Sequence, residues 1–278
     1  MSESNRNICL PTRPPPGNLS RGAYLLPNAL TTAAIFAGFF AIISAISGNY
    51  LAGCVAIIVA GVLDGLDGRV ARMTGTQSEF GTQYDSLSDM VSFGMAPAIL
   101  VYTWALADLG EPGSMAEKLG WLGAFFYSAC AALRLARFNT QSGVADKRYF
   151  QGLASPAAAG TLVATIWLCL SRDVAPDTVQ WVLLGQIIIL GILMFSGIRY
   201  FSFKTALESD RVPIARLVVV LVLIILLAID LPAVLFGLGV AYTLSGPILT
   251  IHGRQRQRRR RRREERRAEK AEAHDDAE

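Results

Sequence analysis

Four aspartates stand at fixed spacing in a short stretch of the chain: Asp64, Asp67, Asp85 and Asp89. Apolar sequence flanks this stretch on both sides, so the carboxylates are predicted to lie at the edge of a membrane. An Asp near the bilayer centre costs about 2.5–3.5 kcal/mol on insertion scales, so four of them need compensating partners. On helices, residues three or four apart share one face. The pattern therefore predicts two facing carboxylate pairs that bind divalent cations.

Small residues and an arginine accompany the aspartates. Gly68 and Ala71 continue the stripe of Asp64 and Asp67, which leaves a groove that a bulky phosphate-bearing ligand could enter. Arg72 could serve phosphate as a fixed cation, or it could be an interfacial arginine that only fixes membrane orientation. A solvated acidic patch at a helix corner is the alternative for the aspartates, but it does not explain the small residues or the arginine.

The whole motif resembles the signature of the CDP-alcohol phosphatidyltransferases, which are integral membrane enzymes that transfer a phosphatidyl or similar group from a CDP-linked donor to an alcohol. The matching positions are Asp64-x2-Asp67-Gly68-x2-Ala71-Arg72-x8-Gly81-x3-Asp85-x3-Asp89. Further stretches are similar to the phosphatidylserine synthase branch of that family. They are LPNALT (26–31), SDMVSFGMAPA (88–98), ALRLARFN (132–139), FQGLASPAAAG (150–160) and SGIRYFSFK (196–204).

The resemblance implies a reaction and roles for the site residues. CDP-diacylglycerol would be the donor and L-serine the acceptor, giving phosphatidylserine and CMP. Asp64, Asp67 and Asp85 would bind metal, and Asp89 would share a second metal and act as the general base towards the acceptor hydroxyl. Two divalent ions, Mg2+ or Mn2+, and a homodimer are also implied. The residues expected at the donor nucleotide are Asn28, Thr31, Asp64, Gly68, Ala71, Arg72 and Gly81.

Two groups of candidate site residues can each be interpreted in two ways. Asn28 and Thr31 could contact the nucleotide or cap the first helix. Four cations on the same predicted side of the membrane could bind phosphate or the serine carboxylate, or they could only fix the topology. These cations are Arg134, Arg137, Arg199 and Lys204.

The composition predicts an all-α polytopic membrane protein. The chain has 278 residues, of which 52% are hydrophobic. About eight membrane helices are predicted, near 29–48, 50–64, 87–107, 119–138, 157–171, 179–198, 214–230 and 232–250, and the resemblance implies that six of them form the catalytic core. The predicted organisation is an N-terminal segment (1–27), a catalytic core (28–204), additional membrane helices (205–251) and an Arg-rich tail (252–278).

The distribution of positive charge predicts the orientation. Of the fifteen Lys and Arg residues before residue 252, all but Lys118 and Arg172 fall in the N-terminal segment or in alternate connections. The positive-inside rule therefore places both termini and the aspartates on the cytoplasmic side of a bacterial-type inner membrane. The tail after residue 252 carries eleven basic and seven acidic residues and could attract anionic membrane lipids or only anchor the topology. Nucleic acid is not an expected partner, because no folded basic domain accompanies this tail.

Other functions remain open at this stage. The same chemistry could use glycerol 3-phosphate, an inositol phosphate or choline as the acceptor. A cation transporter is a second class, since acidic residues within membrane segments often mark ion paths, although here they cluster at one edge. A membrane scaffold is a third class, but it leaves the aspartate spacing unexplained. The four cysteines lack metal-site spacing, and the two histidines both lie in the tail.

Overall fold

The computed structural model describes residues 25–76, 78–141, 149–201 and 214–250. Across these ranges the chain forms eight helices and two three-residue strands. Six of the helices, all except α5 and α7, are long and apolar enough to cross a membrane, which indicates an integral membrane protein and confirms the predicted helical membrane bundle. The elements are α1 (Leu25–Ile46), α2 (Tyr50–Thr74), α3 (Glu79–Leu106), α4 (Met115–Gln141), β1 (Tyr149–Gln151), α5 (Ser155–Ser171), α6 (Pro176–Phe195), β2 (Arg199–Phe201), α7 (Ile214–Ile229) and α8 (Leu231–Thr250).

The two helices that carry the aspartates extend beyond their predicted apolar cores. Hydropathy predicts a span near 50–64, but α2 continues to Thr74, and α3 begins at Glu79 instead of near residue 87. Local capping explains the ends. Gly75 has a φ of 64° and closes α2 in the left-handed conformation that favours glycine. The Ser78 hydroxyl accepts a hydrogen bond from the Gly81 amide at 3.0 Å and starts α3. All four aspartates are therefore helical.

Small side chains let α1 pack closely against α2 and α3. Ala34, Ala41 and Ala60 at this interface are fully buried. Gly38 of α1 lies very close to Ser92 of α3, since a Cβ added to Gly38 would lie 2.6 Å from the Ser92 hydroxyl oxygen. Membrane helices associate through such close packing because lipid supplies no hydrophobic force between them.

A wide π-helical turn, Met90–Met95, follows immediately after Asp89 in α3. Such turns leave backbone carbonyls without their usual helical partner. Two side chains of α4 contact these carbonyls: the Tyr127 hydroxyl donates to Phe93 at 3.1 Å and the Ser128 hydroxyl donates to Gly94 at 3.2 Å. These bonds fix α4 beside the aspartate-bearing end of α3.

The two strands pair antiparallel, with Phe150 opposite Tyr200. They connect the segment after α4 with the segment after α6, and the Gly152 amide extends the pairing by donating to the Ile198 carbonyl at 2.8 Å. This small sheet is the one departure from the predicted all-α composition within the described residues. It holds Tyr200 in a fully buried position against α8.

We expect Gly38→Ala to destabilise the protein, because the new methyl group must displace α3 at Ser92. Overpacking of this kind costs about 1–3 kcal/mol, so the thermal unfolding midpoint in detergent should fall measurably. Gly185→Ala is the matched control: Gly185 is also inside a membrane helix, but a Cβ there meets no atom within 4 Å. An equal or smaller loss for Gly38→Ala than for Gly185→Ala would contradict the close approach.

Candidate active site

The four aspartates meet between α2 and α3. One carboxylate oxygen from each of Asp64, Asp67 and Asp85 lies within 4.8 Å of the others. The carboxylate of Asp64 is also within hydrogen-bonding reach of the carboxylates of Asp85 and Asp89. The helical spacing explains this arrangement, since each pair occupies one helix face and the two faces point towards each other. The four carboxylates form one cluster, which we call the aspartate cluster.

A residue of α1 orients one member of the aspartate cluster. The Thr31 hydroxyl donates to Oδ2 of Asp67 at 2.7 Å, and both side chains are buried. α1 begins at Leu25, so neither Asn28 nor Thr31 occupies the N-cap position that one interpretation of the sequence assigned to them. Thr31 instead holds a carboxylate of the neighbouring helix.

The remaining residues expected at the donor nucleotide lie beside the cluster, and the space is open at Gly68 but occupied at Gly81. A Cβ built on Gly68 would meet one atom within 4 Å, Nη1 of Arg72 at 3.7 Å. A Cβ on Gly81 would lie 3.1 Å from the Ser78 hydroxyl oxygen and 3.8 Å from the side-chain oxygen of Asn28. Ala71 follows Gly68 by three residues on the same face of α2. The start of α1 and the adjoining ends of α2 and α3 thus bring the small residues, Asn28 and Arg72 to one side of the cluster.

Arg134 of α4 is the cation that the structure places beside Asp89. The two side chains interact electrostatically. Nη1 of Arg134 donates to the hydroxyl of Ser155 at 2.8 Å, and Ser155 is fully buried at the start of α5. Nε of Arg134 is buried and has no hydrogen-bond partner. The guanidinium is therefore held next to the cluster, and its Nε–H can still donate a hydrogen bond to a ligand.

The structure describes the other three predicted cations to different extents. Arg137 lies one turn beyond Arg134 on α4, and its Nη1 donates to the Phe195 carbonyl at 3.4 Å, near the end of α6. Arg199 lies in β2, and its side chain is outside the described part of the chain. Lys204 is outside the described residues altogether.

The aspartate cluster has the chemistry of a divalent-cation site. Oδ1 of Asp85 and Oδ1 of Asp89 are buried without a hydrogen-bond partner. A buried carboxylate oxygen without a partner is costly, and a bound cation would supply the missing interaction. Carboxylate oxygens are also the ligands that Mg2+ prefers, while Mn2+ accepts the same donors. The residues present therefore fit a divalent metal ion.

A sequence profile of the CDP-alcohol phosphatidyltransferases matches residues 24–196. The chain belongs to this family. Members generally use divalent metal ions, in agreement with the donor set of the aspartate cluster. The match begins at the start of α1 and ends just after α6, so it includes the aspartate cluster and Arg134 but neither α7 nor α8.

Individual relatives carry more specific names. The chain is 38% identical over 181 residues, 65% of its own length and 73% of the relative's, to a Helicobacter pylori (strain J99) protein named CDP-diacylglycerol–serine O-phosphatidyltransferase. A Mycobacterium tuberculosis (strain H37Rv) protein of the same name is 35% identical over 192 residues, 66% of this chain and 63% of the relative. An archaetidylserine synthase of Methanothermobacter thermautotrophicus is 39% identical over 139 residues, 49% of this chain and 55% of the relative.

Two contacts in the site could not be predicted from the sequence. The sequence makes Thr31 a candidate for contacting the nucleotide or for capping a helix, but it does not indicate the hydrogen bond to Asp67. Ser155 lies within the stretch at 150–160 that resembles the phosphatidylserine synthase branch, yet nothing in its spacing from Arg134 indicates a bond between them. Both contacts join helices that are distant in sequence, so periodicity along one helix could not reveal them.

We expect Thr31→Val to weaken divalent-cation affinity, because the buried Asp67 carboxylate loses the hydroxyl that orients it. Loss of such an outer partner typically costs about 10- to 100-fold in metal affinity or activity. Mn2+ titration of the purified protein measures the effect, and Thr31→Ser should restore affinity. Thr32→Val is the control, since the exposed Thr32 hydroxyl contacts Tyr84 at 3.0 Å instead of an aspartate. Equal Mn2+ affinity in Thr31→Val and the unmodified chain would disprove this role.

Proposed function

We propose that this protein transfers a phosphatidyl group from CDP-diacylglycerol to L-serine, giving phosphatidylserine and CMP. The observation that carries the proposal is the aspartate cluster with Arg134 beside it, in a helical membrane protein of the CDP-alcohol phosphatidyltransferase family. The names of the Helicobacter and Mycobacterium relatives support serine as the acceptor.

The position of the cluster suits a lipid donor with a nucleotide head. The 25 residues of α2 extend about 38 Å at the rise of an α-helix, which exceeds a hydrocarbon core of about 30 Å. Its last turns therefore reach the membrane boundary, and Asp67 lies two turns before the end of the helix. A donor bound there keeps its acyl chains in lipid while its cytidine and pyrophosphate reach the aqueous edge.

Asp64, Asp67, Asp85 and Asp89 would hold two divalent ions, Mg2+ or Mn2+, which when bound neutralise the pyrophosphate and the charge that develops on departing CMP. Thr31 keeps the Asp67 carboxylate in its ligating orientation. The nucleotide binds beside Gly68, because the glycine leaves the helix backbone accessible there. We assign donor contacts to Asn28, Thr31, Asp64, Gly68, Ala71, Arg72 and Gly81.

Asp89 acts as the general base. Its carboxylate accepts the proton of the serine hydroxyl while the hydroxyl oxygen forms the new bond to phosphorus and the bond to CMP breaks. Direct displacement needs no covalent enzyme intermediate. Arg134, beside Asp89, is suited to bind the serine carboxylate through a charge-assisted hydrogen bond. Arg137, Arg199 and Lys204 are assigned to the same acceptor and phosphate region.

Several features of the wider molecule belong to the same proposal. Residues 28–204 form the catalytic core, 205–251 add membrane helices, and the segments 1–27 and 252–278 lie with the active site on the cytoplasmic side of a bacterial-type inner membrane, as the positive-inside rule favours. The protein acts as a homodimer. Labelling of single introduced cysteines in intact cells tests the orientation, and cross-linking in native membranes tests the dimer.

The decisive experiment measures CMP release by purified protein with CDP-diacylglycerol, Mn2+ or Mg2+, and one labelled alcohol at a time. L-serine should give labelled phosphatidylserine and release CMP faster than glycerol 3-phosphate, inositol phosphate or choline. Absence of CMP release with every alcohol and both metals would refute transferase activity. Faster release with glycerol 3-phosphate would refute serine as the acceptor while leaving the chemistry intact.

We predict that Asp89→Asn lowers kcat by about 10²- to 10⁴-fold, the usual contribution of a general base, while CDP-diacylglycerol still binds. Steady-state CMP release and direct donor binding separate these two effects. Asp108→Asn is the control, because Asp108 is an exposed aspartate in the turn after the other end of α3. A variant at Asp89 with unchanged kcat, or one that loses donor binding to the same extent as turnover, would exclude Asp89 from this role.

A further inference from the structure

Ser155 begins α5, but its hydroxyl serves another helix. Serine at a helix start commonly accepts a hydrogen bond from a backbone amide of the first turn. Here Ala154 is the N-cap residue, and the fully buried Ser155 hydroxyl accepts from Nη1 of Arg134 at 2.8 Å. We propose that Ser155 is a positioning residue for Arg134, and through it for the carboxylate of the acceptor. This inference rests on the proposed function, because that proposal assigns Arg134 to the acceptor.

Contacts between α3 and α4 on both sides of Asp89 set the level at which Arg134 lies. Beyond Asp89, the Tyr127 hydroxyl donates to a carbonyl of the π-helical turn at 3.1 Å. Before Asp89, Nδ2 of Asn139 donates to the Ser86 hydroxyl at 3.0 Å. Later residues of α4 thus meet earlier residues of α3, so the two helices are antiparallel. Arg134 lies between Tyr127 and Asn139 in the sequence of α4 and is therefore at the level of Asp89.

The segment before Ser155 is fixed to the end of α6, so the Ser155 hydroxyl has a defined position. The Gly152 amide donates to the Ile198 carbonyl at 2.8 Å, and the Leu153 amide donates to the Leu193 carbonyl at 3.0 Å. Gly152 has a φ of 85°, and a Cβ there would clash with a carbonyl oxygen of α6, so the turn requires glycine. Leu153 is fully buried.

The orientation of Arg134 matters because a guanidinium recognises a carboxylate through donors of fixed geometry. An arginine side chain has many rotamers, and ordering it only when the substrate binds lowers affinity. The bond to Ser155 restricts the guanidinium beforehand, while the buried Nε of Arg134, which has no hydrogen-bond partner among the described residues, can donate to a ligand. Ser155 would thus hold Arg134 ready for the acceptor without contacting the acceptor itself.

The test is Ser155→Ala in the full-length protein, which removes the hydroxyl. We expect the KM for L-serine to rise about two- to tenfold, the scale of ordering one flexible side chain on binding, with the KM for CDP-diacylglycerol unchanged. Ser155→Cys is the second variant in case the alanine protein folds poorly, because sulfur occupies similar space but is a weak acceptor. The same shift in KM is expected for it.

Thr165→Val is the matched control. The Thr165 hydroxyl is also on α5 and also accepts from a side chain of another helix, Nε2 of Gln186 at 2.8 Å. Thr165 lies about 15 Å further along the helix than Ser155. Its loss should lower the thermal unfolding midpoint at most and leave both KM values as they were.

Three results in an active protein would overturn this inference alone. An unchanged KM for L-serine with a lowered thermal midpoint in Ser155→Ala would give Ser155 a purely structural role. An equal rise in the KM for L-serine in Thr165→Val would indicate a general loosening of α5. A rise in the KM for CDP-diacylglycerol would assign Arg134 to the donor phosphate. A protein that releases no CMP with serine would instead remove the proposed function and this inference together.

Discussion

The mutual repulsion of four carboxylates governs the architecture of this protein. At a separation of about 4 Å and an effective dielectric constant of about 20, two like unit charges repel by about 4 kcal/mol, and the aspartate cluster contains several such pairs. Water cannot relieve the repulsion fully, because two of the carboxylate oxygens are buried and have no partner. The fold must therefore supply positive charge and hydrogen-bond donors. Thr31 and Arg134 are the protein's own contribution, and divalent cations fit the remainder.

Holding the carboxylates together requires helices that cannot drift apart. α1 lies so close to α3 that Gly38 has no room for a methyl group opposite Ser92. The wide turn after Asp89 is held by the hydroxyls of Tyr127 and Ser128 on α4. Close packing of small residues and side-chain bonds to backbone carbonyls replace the hydrophobic force that would hold such helices together in water. The cluster is thus a consequence of a tightly packed scaffold as well as of its own residues.

The surroundings of the cluster are asymmetric, and the asymmetry corresponds to the two proposed substrates. One side is bordered by Gly68, where an added Cβ would meet only the Arg72 guanidinium, at 3.7 Å. The other side carries Arg134, which donates to Ser155 of α5 and lies beside Asp89 of α3. A bulky nucleotide needs space, whereas a small amino acid needs a fixed cation near the reacting hydroxyl. On this proposal, the two sides could be altered independently by mutation.

The sequence by itself determined the membrane class and the pairing of the aspartates, whereas it predicted about eight membrane spans and six of the described helices are long and apolar enough to be spans. Each of these depends on local spacing: an apolar stretch of sufficient length must span the bilayer, and Asp64 with Asp67 must share a helix face. Hydropathy misplaced the ends of α2 and α3, because Gly75 and Ser78 extend both helices through polar residues by capping. Only the tertiary structure decided which of several equivalent-looking arginines lies beside Asp89 and what holds Asp67. Those contacts join α1 to α2 and α3 to α4, and no periodicity within one helix encodes which face of a distant helix it will meet.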